Sequence, residues 1–88
     1  MDDPVDRWAT PEEAARGDMP ERFVTVLGVR EDGDSAVVWM LTNDAPPYEP
    51  YTVECDREDG FWVAGSGVND ISGAPPEVRE RATHLGWS

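Results

Sequence analysis

The sequence predicts an α+β domain: a short N-terminal helix, a four-stranded antiparallel β-meander and a C-terminal helix. Three observations predict it. Two Asp-Gly pairs, Asp32-Gly33 and Asp59-Gly60, each lie between β-branched or aromatic runs, the strongest short-range hairpin signal. Residues 51–57 alternate apolar and polar side chains, the period of a half-buried strand. Helical segments with start and stop signals flank these strands on both sides, and strands bracketed by helices mean α+β. The 88 residues fit one domain, 1–88, with a modest core for so short a chain.

Residues 1–9 read as a flexible polar leader carrying Trp8. Thr10-Pro11-Glu12-Glu13 then reads as a helix start. Thr10 can accept from the Glu13 N–H while the Glu13 side chain reaches back, and Pro suits the first helical position. Gly17 stops the helix within two turns.

Strand-forming runs at residues 22–30 and 35–42 surround Glu31-Asp32-Gly33-Asp34. A two-residue turn at Asp32-Gly33 pairs Val29 with Ala36, Leu27 with Val38 and Thr25 with Met40. On its other face Gly28 meets Val37, Val26 meets Trp39 and Val24 meets Leu41. Both faces are then apolar, so something must cover the second: a helix, another sheet layer or a partner.

Asn43 to Pro50 is a loop. In the strand after it, Tyr51, Val53 and Cys55 lie on one side and Thr52, Glu54 and Asp56 on the other. A two-residue turn at Asp59-Gly60 places Trp62 beside Arg57 and Ala64 beside Cys55, whereas a three-residue loop puts Phe61 and Val63 there. The two-residue turn is the expectation. Gly65 to Gly73 reads as a flexible loop. Pro75-Pro76-Glu77 opens the last helix, with Val78, Ala82 and Leu85 on one face and Gly86 ending it.

Composition narrows the function. The net charge is −12, with nineteen Asp and Glu against seven basic residues, all of them Arg. Nucleic-acid binding and docking on anionic membranes both need a basic patch, so neither is expected. Without lysine there is no Schiff-base chemistry and no phosphate-loop lysine. A basic protein is the partner such a charge would steer inwards. The first residues hold no apolar signal segment, and no run approaches a membrane span. Cys55, the single cysteine, cannot form an internal disulfide. A cytoplasmic location is the expectation.

Candidate chemistry is sparse. Cys55 reads as a buried, inert thiol. His84 reads as a helix-end residue. One His and one Cys leave no common zinc set, the acidic turns lack calcium-hand spacing, and Gly65-Ser66-Gly67 lacks the helix and lysine of a phosphate loop. No cofactor is implied. The aromatic set stands out, with Trp8, Trp39, Trp62, Trp87, Tyr48 and Tyr51 in so short a chain. These side chains either fill a small core or line an exposed patch for a partner. Pro46-Pro47-Tyr48-Glu49-Pro50-Tyr51 reads as a rigid inter-strand connection, or as an extended ligand for an aromatic groove.

The block from Val24 to Trp62 resembles the later part of the cystatin-like, nuclear-transport-factor-like α+β folds. The residues that carry it are Val24-x-Val26, Gly33-Asp34-x-Ala36-x-Val38, and a strand ending Arg57-Glu58-Asp59-Gly60-x-Trp62. The resemblance covers under half the chain and implies a cone between helix and curved sheet, with pairing of copies through the sheet. The chain lacks the long N-terminal helices that close such a cone, and no catalytic residue carries over.

The function these readings favour is a non-enzymatic interaction or inhibitor-like module using an acidic, aromatic-bearing sheet face. Contact is expected from Trp39, Trp62, Tyr48 and Tyr51, and electrostatic steering from Glu49, Glu54 and Asp56. The alternatives are a small-molecule-binding or catalytic cone-type domain, with Asp70 or His84 as its acid or base, and a subunit that forms a homodimer through the sheet.

Overall fold

The computed structural model describes residues 8–17, 24–42 and 49–86. The leader before Trp8, the Pro46-Pro47-Tyr48 stretch and Trp87 lie outside the described residues. The element order is α1 (Pro11–Arg16), β1 (Val24–Asp32), β2 (Ser35–Thr42), β3 (Pro50–Glu58), β4 (Phe61–Val68) and α2 (Pro76–His84). All four strands pair antiparallel in one sheet, in the order β1-β2-β3-β4. The chain thus has the predicted α+β meander.

Helix α1 begins where the Thr10 hydroxyl oxygen accepts from the Glu13 N–H at 3.2 Å. The same hydroxyl donates to the Glu13 carboxylate at 3.0 Å. The reciprocal bond therefore runs hydroxyl to carboxylate rather than to the Thr10 backbone. Gly17 ends the helix at φ +62°, a conformation that only glycine adopts without a Cβ penalty.

The second hairpin has the predicted register, with Arg57 opposite Trp62 and Cys55 opposite Ala64. Its two turn residues, Asp59 and Gly60, both have positive φ, as a type I′ turn requires. The first hairpin corrects the expected pairing. Its turn residues are Gly33 and Asp34, so Asp32 faces Ser35 and Val29 faces Val38. Gly33 at φ +63° takes the first central position, the arrangement of a II′ turn. That position also lets the Asp34 carbonyl accept from the Arg57 N–H at 2.7 Å, a cross-strand tie that no local pattern reveals.

A bulge at Leu27 then breaks the β1–β2 ladder, between Val26 opposite Met40 and Gly28 opposite Trp39. One extra residue exchanges the faces beyond it. Val24 and Val26 consequently join Val29, Val38 and Met40 on the first face, while Leu27 joins Trp39 and Leu41 on the second. The sequence-based assignment of Val24, Val26 and Leu27 is reversed for this reason.

The two-faced sheet is covered by two helices. On the first face Ala14 of α1 packs with Val24, Val38, Met40, Cys55 and Trp62. On the second face Val78 and Ala82 of α2 close over Leu27, Trp39 and Leu41, together with Ile71 and Ala74. Gly28 makes that second contact possible: a Cβ there would lie 2.9 Å from Val78 Cγ2.

Two further expectations are corrected. Strand β4 continues through Gly65-Ser66-Gly67 to Val68, so the loop begins only at Asn69. Its pairing with β3 shifts there, with Cys55 opposite Ala64 but Val53 opposite Gly67, which absorbs Gly65 and Ser66 into a bulge. Leu85 is exposed: it caps α2 with its N–H on the Arg81 and Ala82 carbonyls, one turn past the last buried residue of the helix, Ala82, and does not join the core.

Candidate functional site

Face assignments follow from the registers. Row by row on the second face, Arg30 faces Val37 and Val37 faces Glu54, while Asp32 faces Ser35, Ser35 faces Asp56 and Asp56 faces Val63. Glu58 faces Phe61 at the β3–β4 turn. Helix α2 and the loop before it pack lower on this face, over Leu27, Trp39 and Leu41. The hairpin end of the sheet stays open: Glu54, Asp56, Glu58 and Phe61 are exposed, and Val37 and Val63 only half-buried.

Strand geometry makes an acidic row here. Residues two apart on a strand share a face at about 6.7 Å, so Glu54, Asp56 and Glu58 form a line of three carboxylates along β3. Arg57, between them in sequence, points to the first face. Its guanidinium lies 5.6 Å from the centre of the Trp62 ring and donates to Asp34 Oδ1 from Nε at 3.1 Å and Nη2 at 2.8 Å. The basic residue nearest in sequence is therefore turned away from the row and paired elsewhere.

The residues expected to form one contact surface do not converge. Trp39 is 6% exposed on the second face and Trp62 is 4% exposed on the first. Both are core side chains, and the expectation of exposed contact through them is corrected: each helix closes over one of them. Tyr51 lies half-buried on the first face, its hydroxyl donating to Glu49 Oε2 at 2.7 Å. The Glu49 N–H donates to Thr42 Oγ1 at 2.8 Å, which anchors Glu49 at the far end of the sheet, about 17 Å along β3 from Glu54. Tyr48 lies outside the described residues. Glu54 and Asp56 alone remain together, joined by Glu58, Val63 and Phe61. The i, i+2 spacing of Glu58 with Glu54 and Asp56 was a signal available in the sequence; Phe61 and Val63 needed the turn register.

Trp39 also walls two clefts beside α2. One, of about 450 Å³, lies towards β1 and includes Gly28, Arg30, Glu77 and Arg81. The other, of about 440 Å³, includes Thr52, Val68, Asp70 and Ser72. Both are open to solvent. In the second cleft the Asp70 carboxylate accepts from the Ser72 hydroxyl at 2.6 Å and the Ser72 N–H at 3.0 Å. These bonds, the hydroxyl first, hold its pKa below the usual carboxylate value, so Asp70 stays ionised at neutral pH and is no proton donor there. His84 is exposed and lines neither of these clefts. Among the described residues no three His, Cys, Asp or Glu side chains are grouped to hold a metal ion, and no helix is long and apolar enough to cross a membrane.

Cys55 lies in the first-face core against the Pro11 carbonyl. Burial, aided by the neighbouring Asp56 charge, pushes its thiol up from 9.0 to about 11. The folded state then holds this proton more tightly than the unfolded chain. The resulting stability is intact below about pH 9 and is lost as pH rises through about 11. A disulfide reagent near neutral pH is expected to label Cys55 only as fast as the protein unfolds, and at once in urea. Immediate labelling of the folded protein would show an accessible thiolate instead.

No family model, curated protein or solved structure matches the chain.

Proposed function

We propose that this chain is a non-enzymatic protein-binding module that presents the open, acidic end of its second sheet face to a basic partner. The observation that carries the reading is the exposed row Glu54–Asp56–Glu58, set beside half-buried Val37 and Val63 and exposed Phe61. Carboxylates in a row steer a cationic surface and fix its orientation, while the apolar neighbours supply area that a partner can remove from water. The chain's −12 charge adds a long-range field of the same sign. A cytoplasmic setting, where a lone thiol stays reduced, fits this reading. The cone-type alternative asks for an enclosed pocket, and the clefts beside Trp39 are open.

Capture from source-cell lysate, with wild type and a Glu54→Lys/Asp56→Lys/Glu58→Lys variant run in parallel, tests the proposal. All three side chains are exposed, so the variant is expected to fold. The expected outcome is a stoichiometric basic protein on the wild type, released by moderate salt, with at least about tenfold weaker retention on the variant, each lost charge contact being worth some fraction of that factor. An empty capture, or equal retention by both proteins, overturns the reading.

A further inference from the structure

An open meander has two edge strands, and these two are guarded unequally. Exposed edges are templates for another chain, and proteins usually blunt them with charges, bulges, proline or a covering element. Strand β1 carries Arg30, Glu31 and Asp32 and the bulge at Leu27. The Arg81 guanidinium of α2 donates to the Leu27 carbonyl. Strand β4 has neither charge nor proline along Phe61–Val68, in a chain that is 30% charged. Residues 64–68 are all exposed, with Val68 at 57%.

This edge already accepts an incoming backbone at one residue. The Trp62 N–H donates to the Trp8 carbonyl at 2.7 Å, and the Trp62 carbonyl accepts from the Trp8 N–H at 2.9 Å, an antiparallel bridge. Trp62 thus directs both groups away from β3, and strand alternation makes Ala64 the next residue to do so. Among the described residues no backbone group pairs with Ala64 on that side. The bulge at Gly65–Ser66 keeps the free stretch short, which limits indiscriminate addition.

The surroundings select the occupant by charge. Between Glu49 and Asp70 the one basic residue is Arg57, already paired with Asp34. Glu54, Asp56, Glu58, Asp59 and Asp70 are exposed around β4. The Asp56 carboxylate leans over the edge strand, with Oδ2 3.8 Å from where a Cβ on Gly65 would lie. Ala64, Gly65, Ser66 and Gly67 raise no side-chain wall, so a long cationic side chain entering from the edge can cross β4 to the row on β3.

We propose that β4 is the acceptor edge for an extended basic segment of the partner protein, which adds to the sheet as a further strand beside Ala64. The proposal rests on the acidic face being the binding face and names how it is engaged. A second copy of the chain would bring another −12 charge against the same carboxylates. The chain's own first residues, with Asp2, Asp3 and Asp6 against Arg7, carry the same sign.

The test uses an eight-residue peptide of alternating Arg and Val, matching the length of β4, and its analogue N-methylated at every second residue. Affinity is measured for wild type, Ala64→Pro and the charge-reversed triple variant, with amide exchange at Ala64 followed by NMR. The peptide is expected to bind wild type and to slow exchange of the Ala64 amide. N-methylation on the residues facing β4, or Ala64→Pro, is expected to weaken binding at least about tenfold, as the loss of one or two backbone hydrogen bonds predicts. The methylated peptide keeps the test valid if Ala64→Pro does not fold. Equal binding of both peptides, still lost on charge reversal, overturns the edge addition and leaves the acidic-face reading standing. Binding of neither peptide overturns the edge addition too, and the lysate capture then decides the acidic-face reading separately. A mass that doubles with concentration while Ala64 becomes protected without peptide assigns the edge to a second copy and overturns the basic occupant.

Discussion

Trp39→Ala is expected to cost about 3–5 kcal/mol, the range for truncating a buried aromatic. A domain of this size has about 5–15 kcal/mol in total, so the variant should be largely or marginally unfolded at room temperature. The reason is position. Trp39 sits at the centre of the second face, between Gly28 on one neighbouring strand and Thr52 on the other, and packs in one cluster with Ile71, Ala74, Val78 and Ala82. Neither α2 nor the loop before it can collapse into the space without leaving Leu27 and Leu41. Urea unfolding followed by tryptophan fluorescence and far-ultraviolet circular dichroism measures the loss. A wild-type midpoint combined with weakened partner capture would instead make Trp39 a contact residue and contradict its burial.

Ile71→Ala is the second large effect, at about 2–5 kcal/mol. Ile71 is 0% exposed although it sits in the loop between β4 and α2. The loop is shaped to deliver it. The Thr52 hydroxyl donates to the Asp70 carbonyl, the Asp70 carboxylate holds the Ser72 N–H, and the Ile71 carbonyl accepts from the Ala74 N–H at 3.0 Å. Bonds on both sides of one residue fix its direction, and the side chain fills the gap between sheet and α2. The expected result is a lower urea midpoint and faster amide exchange in α2, because the helix loses the plug that seats it. A change below about 0.5 kcal/mol, the size of an ordinary surface substitution, would show that the loop contributes no core.

The two hairpins show how far local chemistry reaches. At Asp59-Gly60 both turn residues take positive φ, the flanking pattern agrees, and the register follows from the turn alone. At Asp32-Gly33 the same dipeptide misleads, because the turn moves one residue on and Asp34 is held by Arg57 from β3. The bulge at Leu27 had no local signal beyond the adjacent Gly28. Its justification is the approach of Val78 to that glycine, a contact with a residue fifty positions away. The candidate site was legible to the same degree. Glu54 and Asp56 followed from alternation, whereas the grouping with Tyr51, Glu49, Trp39 and Trp62 failed because those side chains lie on the other face, at the other end or in the core.

By itself the sequence determined the element types and their order, both helix starts, the second hairpin register, the side of β3 that carries acid, and a net charge of −12. These depend on backbone preferences and on spacing along a few residues, which act at short range. Tertiary structure decided which helix covers which face, that Trp39 and Trp62 are buried, that Ile71 is core, and that Trp8 pairs with the β4 edge. Those outcomes depend on volume and on backbone partners contributed by distant segments. Whether a given face is filled is set by the sum of what packs there, and no single stretch of the chain contains that sum.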